Sequence, residues 1–284
     1  MIIKTQAIAL KISPFSETSH VVAWLTADHG KISTIIKGAQ RPRNSFLGQY
    51  DLFYTCELLF YLRLFQGLHI VKECFPLKHR SALRTCWPGT ACASYFTGLA
   101  AQITPFYAPQ INIYALLDTA LDFFSAEQNT PSGGQALETG LFWFELKLLG
   151  AMGFAPHLNA CLQCRRSLPL VPPGGGRSPG EGSQVLERGG APIAFSAARG
   201  GVFCGSCAGQ HKNLIRIRPD SLALLRFWQS SQKIHAARNV VCSERQLKDV
   251  GTILGNFLQY HLETDNTGRA IAFSILREYR KLAG

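Results

Sequence analysis

His20-Val21-Val22-Ala23-Trp24-Leu25-Thr26, the turn Asp28-His29-Gly30, and Lys31-Ile32-Ser33-Thr34-Ile35-Ile36 decide how the first part of this chain folds. Both flanking runs are rich in β-branched and aromatic residues. The Gly-containing turn between them is short enough to make a hairpin. Val21, Ala23 and Leu25 alternate with Val22, Trp24 and Thr26, so the first of these strands is apolar on both sides and is expected to be covered on both faces. Working outward, residues 2–12, 51–65 and 68–74 read as further strands, separated by Ser13-Pro14, by a loop over 38–48 and by Gln66-Gly67. Five short strands in about 75 residues suit a small closed barrel, and the five-stranded OB fold is the commonest solution. An SH3-like barrel is the alternative.

From Ser81 the apolar period changes from two to about 3.6. Tyr114, Leu117, Leu121 and Phe124 recur at helical spacing, as do Leu137, Leu141, Phe144 and Leu148. Residues 91–103 read as another helix with Pro88 near its start, and Phe142-Trp143-Phe144 as core. Gly150 to Gly153 ends the helix before Pro156. Further on, Asp220 is placed to cap a helix carrying Leu222, Leu225 and Trp228. Ser243 and Gln246 have capping-box spacing ahead of Leu247, Val250, Leu254 and Leu258, and a last helix is expected over 269–282. The expected architecture is an α+β multidomain chain: an OB barrel at 1–77, then a mainly α-helical domain at 78–284 with a zinc-ribbon-like module inserted at about 157–212.

That module is announced by two cysteine pairs, Cys161-Leu162-Gln163-Cys164 and Cys204-Gly205-Ser206-Cys207. Each Cys-x-x-Cys turn aims two sulfurs at one point, and two such turns complete a tetrahedron around Zn²⁺. Four thiolates close the coordination shell, so one structural zinc is expected, with Arg165, Arg166 and His211 nearby to offset its charge. Arg165 and Ala208 stand where a Gly often closes such turns. The 39 residues between the pairs hold nine Gly and five Pro. The most biased part, about 172–183, reads as a flexible insertion. Residues 184–188 and 192–196 could pair as a hairpin through Gly189-Gly190.

The chain has 284 residues, 46% of them hydrophobic, with a net charge of +11, so it is globular and long enough for two cores. No apolar run reaches the roughly 18 residues of a membrane span. A cytoplasmic protein is expected. Cys56, Cys74, Cys86, Cys92 and Cys242 lie in apolar surroundings and read as small buried hydrophobes. The basic excess is uneven: residues 1–80 carry 10 basic and 5 acidic groups and residues 161–219 carry 8 and 2, whereas 81–160 carry 2 and 5. Such clustering points to a polyanion partner. No phosphate-binding loop, nucleophile elbow or His-Glu-x-x-His site is present, and no enzyme is expected.

The densest basic stretch is Lys37-Gly38-Ala39-Gln40-Arg41-Pro42-Arg43-Asn44-Ser45, with no acid from Lys31 through Tyr50. On an OB barrel such a loop follows a phosphate backbone, with Tyr50, Phe53 or Tyr54 as candidates to stack on bases. A solvated loop without a role is the competing reading.

In order along the chain, Pro14-Phe15-Ser16-Glu17-Thr18-Ser19, Thr26 with His29-Gly30-Lys31, Lys37-Gly38-Ala39, and Arg41-Pro42 to Ser45 are followed by Gly153-Phe154-Ala155-Pro156 and Gly200-Gly201-Val202-Phe203-Cys204. This order resembles the RecO family of bacterial recombination mediators. The resemblance implies a non-enzymatic, nucleoid-associated DNA repair and recombination protein that binds single- and double-stranded DNA and anneals complementary strands. It also implies action with RecR to load RecA onto SSB-coated DNA, and contact with the SSB C-terminal tail through the helical domain. It implies no small-molecule substrate. Lys31, Lys37, Arg41 and Arg43 become the DNA-binding candidates, and Cys161, Cys164, Cys204 and Cys207 the metal ligands. The long Gly/Pro-rich insertion departs from the family, some of whose members lack the cysteines. A zinc-containing protein-interaction scaffold is the alternative.

Overall fold

The computed structural model describes residues 1–63, 67–127, 133–168 and 192–283. The chain divides into two compact units, Met1–Asn129 and Thr130–Gly284.

In the first unit, β1 (Ile2–Ser16), β2 (Ser19–Thr26), β3 (Gly30–Ile36), β4 (Thr55–Tyr61) and β5 (His69–Lys78) close into a barrel. The strand order is β1-β2-β3-β5-β4, with β1 pairing antiparallel to β4 and β3 parallel to β5. This is the OB arrangement. Alternation places Ala7, Ala9, Val22, Trp24, Ile32, Ile36, Leu58, Phe60 and Val71 inside. Trp24 is admitted because its indole N–H donates to the buried Thr34 hydroxyl at 2.8 Å. The outer face of β2 is covered at Leu25 but only half-buried at Val21 and Ala23, so coverage on both faces is confined to one end.

A short 3₁₀ turn at Ser81–Arg84 leads to α1 (Trp87–Ile103) and α2 (Ile111–Glu127), both within the same unit as the barrel. Residue 77 thus lies near the end of the last barrel strand, while the compact unit continues through two helices. The guanidinium of Arg80 explains why. Its side chain is 3% exposed and reaches Asp122 at 2.7 Å, Asp118 at 2.6 Å, the Phe53 carbonyl at 2.6 Å and the Thr55 hydroxyl at 2.9 Å. Lys78 donates to Asp118 and Asp122 as well, at 2.6 and 2.7 Å. Burial alone would raise the Asp118 carboxyl, but the bonds from Lys78, Thr55 and Arg80 hold it below the usual range.

In the second unit, α3 (Gly133–Ala151) buries Leu137, Leu141, Phe144 and Leu148. Gly153 at φ +83° ends the segment, with the Phe154 N–H donating to the Leu149 carbonyl at 2.7 Å, a Schellman closure. A small sheet of order β7-β6-β8 follows, from β6 (Ala194–Ser196), β7 (Gly201–Phe203) and β8 (Ile215–Arg216), with the single turn α4 (Gly205–Ala208) after β7. Then come α5 (Pro219–Ser230), the short α6 (His235–Arg238), α7 (Glu244–Leu262) and α8 (Thr267–Ala283). The capping box at Ser243 and Gln246 is formed. Arg218, not Asp220, is the N-cap of α5, with Pro219 next; Asp220 lies within the first turn, where it accepts the Ser221 N–H at 2.9 Å and also bonds to Arg245 and Gln246 of α7. Arg269 of α8 holds the fully buried Glu145 of α3 through two bonds, at 2.7 and 3.0 Å. The 172–183 insertion and the 184–188 arm of the expected hairpin lie outside the described residues; β6 pairs instead with β7 and β8. Among the described residues no helix is long and apolar enough to cross a membrane.

Candidate nucleic-acid interface and metal centre

The basic loop leaves β3 at Ile36 and rejoins the barrel at Thr55. It is folded. The Asn44 amide donates to the carbonyls of Ala39 at 2.9 Å and Arg41 at 2.8 Å, while its oxygen accepts the Phe46 N–H at 2.8 Å. Gly38 and Gly48 take left-handed φ values of +70° and +74°, and Arg43 does so at +61°. With its carbonyls drawn inward, the loop leaves Lys37, Arg41 and Arg43 exposed. Among the described residues no carboxylate pairs with any of the three. Long cations held out by a folded backbone fit a row of phosphates without competition from the protein's own acids. Sequence reading identified the cations but missed Asn44, whose Arg-x-x-Asn spacing says nothing until the loop has closed.

Gln40 ties this loop to the β1–β2 hairpin. The Gln40 N–H donates to the Thr18 carbonyl at 3.1 Å, and the Gln40 side chain meets His20 Nε2 at 2.8 Å. His20 Nδ1 in turn meets the Tyr50 hydroxyl at 2.6 Å. Tyr50 packs on the barrel core beside Trp24 and His20, and burial, with Cys74 and Asp51 near it, pushes its hydroxyl up to about 12. Tyr54 is buried against His79, with its hydroxyl taken by Arg84. These two expected stacking rings are committed to the fold. Phe53, at φ +69°, is half-buried.

Lys31 sits apart from the loop cations, at the start of β3. Its ammonium donates to the Ala101 carbonyl of α1 at 2.6 Å and lies 4.4 Å from the centre of the Phe106 ring. Burial lowers its pKa. Gly30 beside it has φ +70°, and a Cβ there would meet the Ala108 carbonyl at 2.1 Å. The His29-Gly30-Lys31 motif therefore joins the barrel to the segment after α1.

The four expected thiols converge. The sulfurs of Cys161, Cys164, Cys204 and Cys207 all lie within 4.8 Å of one another, and those of Cys164 and Cys204 are 3.7 Å apart. A tetrahedron with Zn–S bonds of about 2.3 Å has edges of about 3.8 Å, so the donor set fits a closed four-thiolate ion. In the first turn the Arg165 N–H closes on the Cys161 carbonyl at 2.9 Å, and Arg165 takes φ +61°. The arginine thus adopts the left-handed conformation a glycine would supply. In the second, Cys204 caps α4, and the N–H groups of Cys207 and Ala208 reach its carbonyl at 3.0 and 2.9 Å. Burial opposes ionisation of Cys161, but backbone N–H groups of Cys164, Cys204 and Gln163 and the Cys164 thiol bring it down to about 6. Cys207, bonded to Cys204 and partly desolvated, is pushed up to about 12. A cation bound there would displace the protons that remain on the thiols. His211 lies outside the four-sulfur cluster and bonds to Gln163 at 2.7 Å.

The cluster is fastened from both sides. Gly200 turns at φ +79°, and Gly201 approaches His157 so closely that a Cβ would lie 2.4 Å from its carbonyl oxygen. The Leu162 N–H donates to Val202 at 2.9 Å. From α5 the buried Arg226 donates to the carbonyl of Leu158 at 2.9 and 2.7 Å, with Asn159 at 3.4 Å and Leu168 at 3.5 Å, the residues flanking the first turn. Arg226 was not singled out from sequence. It sits within an apolar helical pattern, and only the folded chain shows what it holds.

An OB barrel with a basic loop that no carboxylate pairs among the described residues, together with a helical unit carrying four cysteines able to hold a metal, defines the class: an OB-fold protein with a four-cysteine centre. Comparison with known proteins narrows that class. Residues 1–80 match the family described as recombination protein O N terminal, and residues 87–178 and 183–270 match recombination protein O C terminal. The chain belongs to the RecO family. Proteins named DNA repair protein RecO are similar to it over most of its length. That from Anaeromyxobacter dehalogenans (strain 2CP-C) is 27% identical, covering 92% of this chain and 91% of its own. That from Symbiobacterium thermophilum is 27% identical over 77% and 76%, and that from Roseiflexus sp. (strain RS-1) is 26% identical over 95% and 84%.

Proposed function

We propose that this protein is a non-enzymatic mediator of DNA repair and homologous recombination. It binds single- and double-stranded DNA, anneals complementary strands, and helps RecR load RecA onto SSB-coated DNA. The observation that carries the reading is the Asn44-folded loop with Lys37, Arg41 and Arg43 exposed and, among the described residues, unpaired by carboxylates. The barrel holds phosphates and leaves the bases free to pair. Lys31 serves the same surface indirectly, by anchoring the strand that leads into the loop. Cys161, Cys164, Cys204 and Cys207 hold one structural Zn²⁺, which fastens the small sheet to the helical unit. Such a protein works in the cytoplasm, at the nucleoid. For the SSB tail, a groove of about 800 Å³ on the helical unit is the candidate, lined by Lys248, Arg277 and Lys281 together with Glu138 and Glu244.

The test is annealing of complementary strands coated with SSB, by the wild-type protein and by Arg41→Glu/Arg43→Glu. The variant should anneal poorly and bind DNA weakly; wild-type annealing and salt-dependent affinity in the variant would overturn the reading. One observation favours the scaffold alternative. Ile2, Tyr61, Phe75 and Leu77 are exposed on strands β1, β4 and β5. Failure of the wild-type protein to bind single strands in a salt-dependent way would shift the conclusion there.

A further inference from the structure

The tip of the β1–β2 hairpin is the surface that the loop cations leave unexplained. Ser16 pairs with Ser19 and Pro14 with His20, so Phe15 is the extra residue of a β-bulge. A bulge frees one residue from the ladder and re-aims its side chain. Here it turns out a ring that is 58% exposed. The tip carries Glu17 and no cation, so it adds no positive charge with which to attract a phosphate. It is nevertheless tied to the basic loop through the Thr18 carbonyl and His20, which meet Gln40 midway between Lys37 and Arg43. Of the three rings that sequence alone would choose, Tyr54 is buried with its hydroxyl on Arg84, Tyr50 is half-buried against the barrel core with its hydroxyl on His20, and Phe53 is half-buried.

We infer that Phe15 stacks on an unpaired base of a single strand whose phosphates are held by Lys37, Arg41 and Arg43. This rests on the basic loop being the DNA surface and adds a means of telling single strands from duplex. A single strand can offer the π-face of any base to an aromatic ring, whereas inside a duplex both faces are covered by the neighbouring pairs, and such stacking is insensitive to sequence. The phosphate contacts set the salt dependence; the ring contributes a term that salt does not screen. Division of labour follows. The loop attracts both forms of DNA, and the hairpin tip retains the unpaired one.

The experiment compares the full-length wild type with Phe15→Ala, Phe15→Trp and Arg41→Gln/Arg43→Gln. Affinity is measured for oligothymidylate and for a blunt duplex at several salt concentrations. Phe15→Ala should bind oligothymidylate about tenfold more weakly, in the range of one lost base–aromatic stack. Its log–log salt slope should be unchanged, and its duplex affinity should stay near wild type. Phe15→Trp should restore single-strand binding. Equal losses on both forms of DNA, or no loss on oligothymidylate, would overturn the role of Phe15. The arginine variant separates the two ideas. If it keeps the wild-type slope, the basic loop is not the DNA surface; if its slope falls while Phe15→Ala binds like wild type, only the stacking fails.

Discussion

Neutralising the basic loop gives a prediction with a number attached. Arg41 and Arg43 are exposed, and among the described residues neither is paired to a carboxylate, so Arg41→Gln/Arg43→Gln removes two charges without breaking an ion pair. Their backbone bonds, and those of Asn44 that fold the loop, do not involve the substituted side chains. Three phosphate contacts give a log–log salt slope of about −2.1 on single strands, and one gives about −0.7. Cations elsewhere on the protein add equally to both, so the difference of about 1.4 is the quantity predicted. Between 50 and 200 mM salt the wild type should therefore lose about sevenfold more affinity than the variant, and their affinities should converge as salt rises. Fluorescence anisotropy with labelled oligothymidylate across that range measures both slopes. Parallel lines, offset or not, would refute the argument: an offset alone would mean that the arginines affect binding through the fold rather than by displacing counterions.

Four further outcomes follow. Cys204→Ser should release the metal measured by elemental analysis and lower the melting temperature, while any protein that stays folded keeps its DNA affinity. Gly201→Ala places a Cβ 2.4 Å from the His157 carbonyl oxygen and should reproduce that loss of metal and stability without touching a ligand. Arg80→Met leaves Asp118 and Asp122 facing each other with one cation fewer, and should cost about 3 kcal/mol in urea unfolding with an unchanged m-value. Asp118 has a folded-state pKa below its unfolded value, so its contribution is complete above the unfolded pKa and is lost as pH falls through the folded one. Wild type should accordingly lose its advantage over Asp118→Asn on acidification below about pH 4; a constant difference down to pH 2 would contradict the Lys78–Arg80–Asp118 geometry.

The sequence by itself determined what depends on local periodicity and spacing. Alternation in residues 20–26 and 31–36 specified strands because successive side chains point to opposite faces. The spacing of Leu137, Leu141, Phe144 and Leu148 specified a helix, and all four are buried. The cysteine pairs specified a cluster because two residues between ligands make one tight turn wherever it is placed. Only the tertiary structure decided which side chains are free to act. Tyr50 and Tyr54 look like stacking rings in sequence, but His20, Arg84 and the barrel core claim them across separations of 30 residues. Lys31 is a DNA-binding candidate in sequence, and only the fold shows that its ammonium also donates to the Ala101 carbonyl, 70 residues on. Arg80 draws α2 into the first unit through partners 38 and 42 residues away. Phe15 becomes available through a bulge, which depends on the register between two strands rather than on either strand alone. Desolvation and pairing act between residues brought together by folding, and periodicity carries no record of those meetings.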